Sequence, residues 1–149
     1  WMKYDKNREY FNYERVKSML PLRKVVNAPK APAAVGPYSA AIQIDNLVYT
    51  AGQIPLDPQS GDLVAGEIEE QTRQSLTNLQ NVLEAAGSSL EWVVKTTVFL
   101  QNMGDFARMN SVYAEFFQSK PPARSAVEVA ALPKGALVEI EAVAAIPGK

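Results

Sequence analysis

The sequence has no cysteine and no histidine among its 149 residues. Without cysteine, the chain has no disulfide, no thiolate nucleophile and no cysteine metal site. Without histidine, it lacks the most common general base and the most common transition-metal ligand, and it has no Ser–His or Cys–His pair. Catalysis must therefore use Asp, Glu, Arg, Lys, Tyr, Ser, Thr, backbone groups and water, and we predict that no metal and no cofactor takes part.

Long apolar runs and an excess of basic residues are also missing. No run approaches the roughly 20 residues that a membrane span needs, and the N-terminal stretch lacks the apolar core of a secretory signal. The formal net charge is −1, which leaves no uniformly basic surface for nucleic acid. We therefore expect a soluble, cytoplasmic protein without a nucleic-acid partner, with a mitochondrial location as the alternative.

The composition changes after the first 22 residues. Residues 1–22 are rich in charge and in tyrosine, and we treat them as an N-terminal extension of unknown role. Residues 23–149 are long enough to bury a core and are predicted to form one domain. Near its start, the stretches 39–45 and 46–54 read as two strands joined tightly at Asp45-Asn46.

Two later segments have helical spacing, and a β-branched run at 92–100 between them predicts a buried strand. The first helix is expected over 67–86, with Gly87 as its C-cap, and the second over 105–118. Strands, helix, strand, helix and strands in this order predict an α+β fold, with a single mixed sheet and two helices packed on one face. The apolar stripes are Ile68, Thr72, Leu76, Leu79, Leu83 and Ala86 in the first helix, and Phe106, Met109, Tyr113, Phe116 and Phe117 in the second.

The end of the chain reads as a hairpin of residues 123–132 and 136–144 around a turn at Pro133-Lys134-Gly135. Alternation along these strands predicts an apolar face toward the helices and a charged face away from them. The apolar set is Val127, Val129, Val138, Ile140, Ala142 and Ala144, and the charged set is Arg124, Ala126, Glu128, Glu139 and Glu141.

Three interpretations of the charged face remain open from the pattern alone. The first is a solvated outer face of the sheet, and the second is an interface with a neighbouring subunit. The third is a site that binds an anion through Arg124 and in which a carboxylate activates a water molecule. The last two are compatible. A guanidinium grips a carboxylate through two parallel hydrogen bonds, and a carboxylate among other carboxylates exchanges protons nearer neutral pH. Hydrolysis of an imine, whose carbon is already electrophilic, would need no more than this.

Several motifs resemble the RidA/YjgF family of enamine/imine deaminases. The matching stretches are APKAPAAVGPYSAAI, AGQIPLDPQSGDLV, VVKTTVFL, FARMNSVYAEFF, PPARSAVEVAALPKG and VEIEAVA, which occur in family order over residues 24–146. The resemblance implies a chorismate-mutase-like fold, assembly into a homotrimer, and active sites in clefts between subunits. It implies hydrolytic deamination of 2-aminoacrylate-type enamines and imines to 2-oxo acids and ammonia, as in a 2-iminobutanoate/2-iminopropanoate deaminase.

The family motifs also imply roles for individual residues. Arg124 of the PAR motif would bind the substrate carboxylate, and Glu139 of the EIEA motif would act on it through water. The implied substrate-binding residues are Tyr38 as a pocket wall, Gly52 and Ala126 through their backbone, and Asn110 as a polar contact.

Two positions depart from some family members: Ala126 replaces a cysteine and Ala51 replaces a serine. The thiol therefore cannot be essential here, and one hydroxyl contact is missing.

Each site residue also has a structural interpretation. Arg124 would be a salt-bridge residue, Glu139 a partner of neighbouring backbone, and Tyr38 a packing residue. Gly52 would mark a bend at a strand end, and Asn110 would bond a loop. Two other functions also remain: a small-carboxylate-binding or chaperone-like protein without turnover, and a translation inhibitor or ribonuclease. The absence of histidine and the net charge of −1 weigh against efficient RNA cleavage.

Overall fold

The computed structural model describes residues 23–148. In this part of the chain, six strands and two α-helices alternate much as the sequence patterns predict. Their bounds are β1 Lys24–Val26, β2 Ala41–Ile44, β3 Leu47–Thr50, α1 Ile68–Ala85, β4 Val93–Leu100, α2 Phe106–Phe116, β5 Ala123–Glu128 and β6 Val138–Ala145. The N-terminal extension, residues 1–22, lies outside the described residues. None of the described helices is long and apolar enough to cross a membrane.

The six strands form one mixed sheet in the order β1-β2-β3-β6-β4-β5. Neighbouring strands are antiparallel, except that β5 runs parallel to β4. The tight turn predicted at Asp45-Asn46 joins β2 to β3, and Asp45 takes a positive φ of 50° there. The sheet therefore ends in a parallel edge strand, β5, which reaches its place through helix α2.

Both helices cover the same face of the sheet, as predicted. Alternate residues of β6 are fully or almost fully buried, and so is the predicted stripe of α1 from Ile68 to Leu83. The C-cap of α1 is Ala86, one residue before the predicted Gly87, which follows with a φ of +79° and donates to Glu84 O at 3.0 Å. The shared core contains Ile68, Leu76, Leu79, Leu83, Val98, Leu100, Met109, Val138 and Ile140. The predicted α+β class is confirmed. The opposite face, which we call the open face, carries no helix of residues 23–148.

The predicted hairpin of the last two strands is wrong. Strand β4 lies between β5 and β6 and pairs with both. The connection after β5 passes the end of β4, where Val129 N donates to Leu100 O (3.0 Å) and Gln101 N donates to Leu137 O (3.0 Å). An apolar strand such as β4 is favoured inside the sheet, because a neighbour on each side pairs its buried backbone N–H and C=O groups. Nine residues separate β5 from β6, numbers 129–137, and this is enough chain to step over β4.

The predicted faces of β5 are wrong for the same reason. Thr96 of β4 pairs with Arg124 on one side and with Ala142 on the other. Because residues paired in register point to the same face, Arg124, Ala126 and Glu128 lie on the helix face.

Val127 lies on the open face, where 41% of its surface is exposed. Glu139 and Glu141 do lie on the open face, as predicted.

Candidate active site

Arg124 lies on edge strand β5 with its guanidinium over two aromatic rings of α2. Its Cζ is 4.6 Å from the ring centroid of Tyr113 and 5.5 Å from that of Phe106. No carboxylate of residues 23–148 comes within 4.0 Å of it. The salt-bridge interpretation therefore finds no partner in the described chain. A half-buried guanidinium without an acid partner still has N–H donors with which it can bind an anion.

Asn110 and Ala126 lie beside Arg124. Asn110 is four residues after Phe106 and three before Tyr113 on α2, so it shares their side of the helix. Within the described chain its amide makes no hydrogen bond, contrary to the loop-bonding interpretation. Ala126 follows Arg124 by two residues on the same face of β5. These three residues, Arg124, Asn110 and Ala126, form what we call the arginine half-site.

Glu139 lies on the open face of β6 and rests on Gly52. Gln53 bridges Ile140 through two backbone hydrogen bonds of 2.8 and 3.1 Å, which brings Gly52 beside Glu139. A Cβ added to Gly52 would lie 2.7 Å from Cδ of Glu139, closer than real Cβ contacts. Burial raises the pKa of the Glu139 carboxyl, and the charge of Glu141 raises it further. Because a Cβ would overlap the carboxyl group, only glycine at position 52 lets the Glu139 side chain lie against the backbone in this way.

A backbone hydrogen bond connects the loop that carries Tyr38 to the strand end next to Gly52 and Glu139. Ala51 N donates to Ala40 O at 2.8 Å, which ties the loop that carries Tyr38 to the residue before Gly52. The Tyr38 hydroxyl accepts from Val35 N at 3.3 Å, and 51% of the residue is exposed. It is therefore not a core packing residue. Tyr38, Gly52 and Glu139 form what we call the glutamate half-site.

The two half-sites do not meet within one chain. Their strands are separated by β4, so Arg124 and Glu139 are two strand spacings apart, roughly 10 Å. They are also three residues out of register, roughly 10 Å along the strands. Their side chains leave opposite faces of the sheet. No rotamer change within one chain can bring both to one water.

Three residues next to the arginine half-site, Phe106, Tyr113 and Thr96, are not predicted as functional from the sequence. The pattern places Phe106 and Tyr113 in the core and Thr96 in a buried strand. Thr96 Oγ1 and the Tyr113 hydroxyl are 2.8 Å apart and hydrogen-bonded. The spacing of Phe106, Asn110 and Tyr113 along one side of α2 was a usable signal. What it could not reveal is which strand residue faces that side.

The fold and the half-sites define a class: a small α+β protein with an open sheet face and, at the sheet edge, a half-buried arginine without an acid partner in the described chain. A family model described as Endoribonuclease L-PSP matches residues 28–146. The chain belongs to this family, which is also called RidA/YjgF.

Similar proteins cover nearly all of the described chain. A "RutC family protein" of Pyrococcus horikoshii is 54% identical over 83% of this chain and 98% of its own. A mouse protein named "2-iminobutanoate/2-iminopropanoate deaminase" is 53% identical over 83% of this chain and 91% of its own. The crystal structure of Escherichia coli TdcF with bound serine is 42% identical, with a TM-score of 0.78 over 82% of this chain and 98% of that one.

Proposed function

We propose that the protein hydrolyses 2-aminoacrylate-type enamines and imines to 2-oxo acids and ammonia. The observation that carries this proposal is the guanidinium of Arg124, which lies on two rings at an edge strand without an acid in the described chain. A 2-imino acid offers the carboxylate that such a group binds with two hydrogen bonds. The names of the mammalian relatives and the serine bound to TdcF support a small carboxylate as the ligand.

Glu139 supplies the acid–base chemistry in this proposal. Its raised pKa makes the carboxylate a stronger base, which takes a proton from the attacking water. The water oxygen bonds to the imine carbon as the C=N π bond breaks, and Glu139 then returns the proton to nitrogen. In the resulting carbinolamine, Glu139 takes the proton of the hydroxyl and delivers it to the nitrogen. The C=O π bond forms as the C–N bond breaks, so that ammonia leaves and the 2-oxo acid remains. Backbone groups at Gly52 and Ala126 and the amide of Asn110 would orient the substrate.

The proposal requires at least two chains, because one chain keeps its half-sites apart. A homotrimer, with each cleft between neighbouring subunits, fits the open face. The same face as Glu139 and Glu141 also exposes apolar side chains, among them Val25 (56%), Tyr49 (45%) and Val127 (41%). Apolar exposure of this kind is typical of a face that a partner covers. Sedimentation velocity tests the assembly, and a monomer that is fully active would contradict it.

The test of the function is an assay with freshly generated 2-iminobutanoate, in which residual imine is trapped with semicarbazide. The wild-type protein should speed hydrolysis over buffer. Arg124→Ala should lose activity by at least about 100-fold while its circular dichroism is unchanged. Arg124→Lys, which keeps the charge but not the fork, should fall between the two. Full activity in Arg124→Ala would end the proposal.

The same preparation separates the two competing functions. Binding of 2-oxobutanoate without any rate enhancement over buffer would favour a carboxylate-binding protein. The family description Endoribonuclease L-PSP makes RNA cleavage the third candidate. Cleavage of RNA that persists in Arg124→Ala and in Glu139→Gln would place that activity outside the proposed site.

A further inference from the structure

The Arg124 guanidinium depends on the ring of Tyr113 for its position. It has neither an acid partner nor a side-chain hydrogen bond in residues 23–148, so the contacts with Tyr113 and Phe106 are what hold it. Tyr113 is the nearer of the two rings and is 6% exposed. A long arginine side chain on an edge strand samples many rotamers unless something restrains it.

The ring of Tyr113 is itself fixed at two places. Its hydroxyl is hydrogen-bonded to Thr96 Oγ1 at 2.8 Å, and its ring contacts that of Phe117 with centroids 4.6 Å apart. Thr96 is fully buried and is the register partner of Arg124 on β4. The ring of Tyr113 is therefore hydrogen-bonded to strand β4 through Thr96, and it contacts Arg124 on the adjacent strand β5.

We propose that Thr96 and Tyr113 are positioning residues for the substrate carboxylate. Their hydrogen bond fixes the ring, the ring holds the Arg124 guanidinium, and the guanidinium is thereby pre-organised for a two-point grip. The inference rests on the proposed function, because it concerns the same carboxylate. Pre-organisation lowers the entropy lost on binding, so it acts on affinity for the charged group.

The competing explanation is that the hydroxyl pair only satisfies two buried polar groups of the core. That role predicts a change in stability and none in ligand selectivity. Removing one hydroxyl leaves the other unpaired, which destabilises the fold, whereas removing both together is close to neutral. The informative variant is therefore the double substitution Thr96→Val with Tyr113→Phe, which keeps the ring and the shape of the core. Tyr113→Leu, which removes the ring, is the stronger perturbation.

A matched control is available in α1. Thr72 is also fully buried, and its hydroxyl has no partner in the described chain. Thr72→Val therefore removes a buried threonine hydroxyl without touching the arginine half-site. The readout is the affinity, by calorimetry, for 2-oxobutanoate and for its uncharged primary amide. Only the first ligand presents a carboxylate to Arg124.

We expect the double variant to bind 2-oxobutanoate about threefold to tenfold more weakly and the amide as well as wild type does. Tyr113→Leu should lose about tenfold or more on the carboxylate, and Thr72→Val should lose nothing. In the imine assay, KM should rise with little change in kcat. Equal weakening for both ligands, or no weakening in the double variant, would overturn the inference. A wild-type protein that binds the carboxylate but does not turn over imine would instead contradict the proposed function alone.

Discussion

Among single residues, Glu139 and Gly52 form the most constrained pair in the glutamate half-site. The acid lies against the glycine backbone, where a Cβ would overlap it, and burial together with Glu141 raises its pKa. An acid placed this way is costly to ionise but useful for moving protons. A cost of this kind at one residue is typical of a functional position.

We predict that Glu139→Gln stabilises the folded protein at neutral pH while it lowers deaminase activity. Because the folded state raises the pKa, folding takes up protons in the window between the usual glutamate value, 4.5, and the raised one. Wild-type stability is therefore lost as pH rises through that window. The stability difference between Glu139→Gln and wild type should grow with pH there and then level off, measured by urea unfolding at fixed protein concentration.

The control for this prediction is Glu91→Gln, which removes a charge from an exposed residue outside both half-sites. A similar pH-dependent gain in Glu91→Gln would attribute the effect to net charge. A stability difference for Glu139→Gln that does not vary with pH would contradict the prediction.

At the scale of secondary-structure elements, the insertion of β4 between β5 and β6 decides where the arginine points. Local pattern predicts both strands and their approximate bounds, since alternation and turn residues act within a few positions. It does not predict which strands pair, because two-residue alternation is compatible with either neighbour. In β5 the valines suggested the buried side, yet the register with β4 places Arg124 and Ala126 there.

Matched valine substitutions test this strand order. Val98 of β4 is fully buried, whereas Val127 of β5 is 41% exposed on the open face. Val98→Ala should cost about 2 kcal/mol in the free energy of unfolding, from lost burial and the cavity left behind. Val127→Ala should cost no more than about 0.5 kcal/mol in the single chain, outside the proposed assembly. Urea unfolding measures both, and equal costs for the two would mean that the faces of β5 are reversed.

At the scale of the whole molecule, the half-sites predict a reaction that single chains cannot perform. Arg124 leaves the helix face at the sheet edge, and Glu139 leaves the open face of an inner strand. A symmetric ring of copies can bring the edge of one chain to the open face of the next. Each cleft then holds one arginine half-site and one glutamate half-site from different subunits.

Mixing two inactive variants tests this arrangement. Arg124→Ala and Glu139→Ala chains, unfolded together and refolded at equal concentration, should recover about a quarter of wild-type activity. Random neighbours combine an intact arginine half-site with an intact glutamate half-site at about one cleft in four. The control refolds each variant alone and should stay inactive. No recovery from the mixture would mean that both residues act from the same chain.

The amino-acid sequence is enough to predict the chemical inventory, the helices and strands, and Arg124 and Glu139 as candidate site residues. Missing cysteine and histidine, the PAR and EIEA motifs and the helical stripes are all local features of the chain. The contact of Arg124 with Tyr113, and the position of Glu139 on the opposite face, emerge only from the folded chain. The reason is that strand pairing is a long-range choice, made by backbone hydrogen bonds and burial across the whole sheet, and no short pattern encodes it.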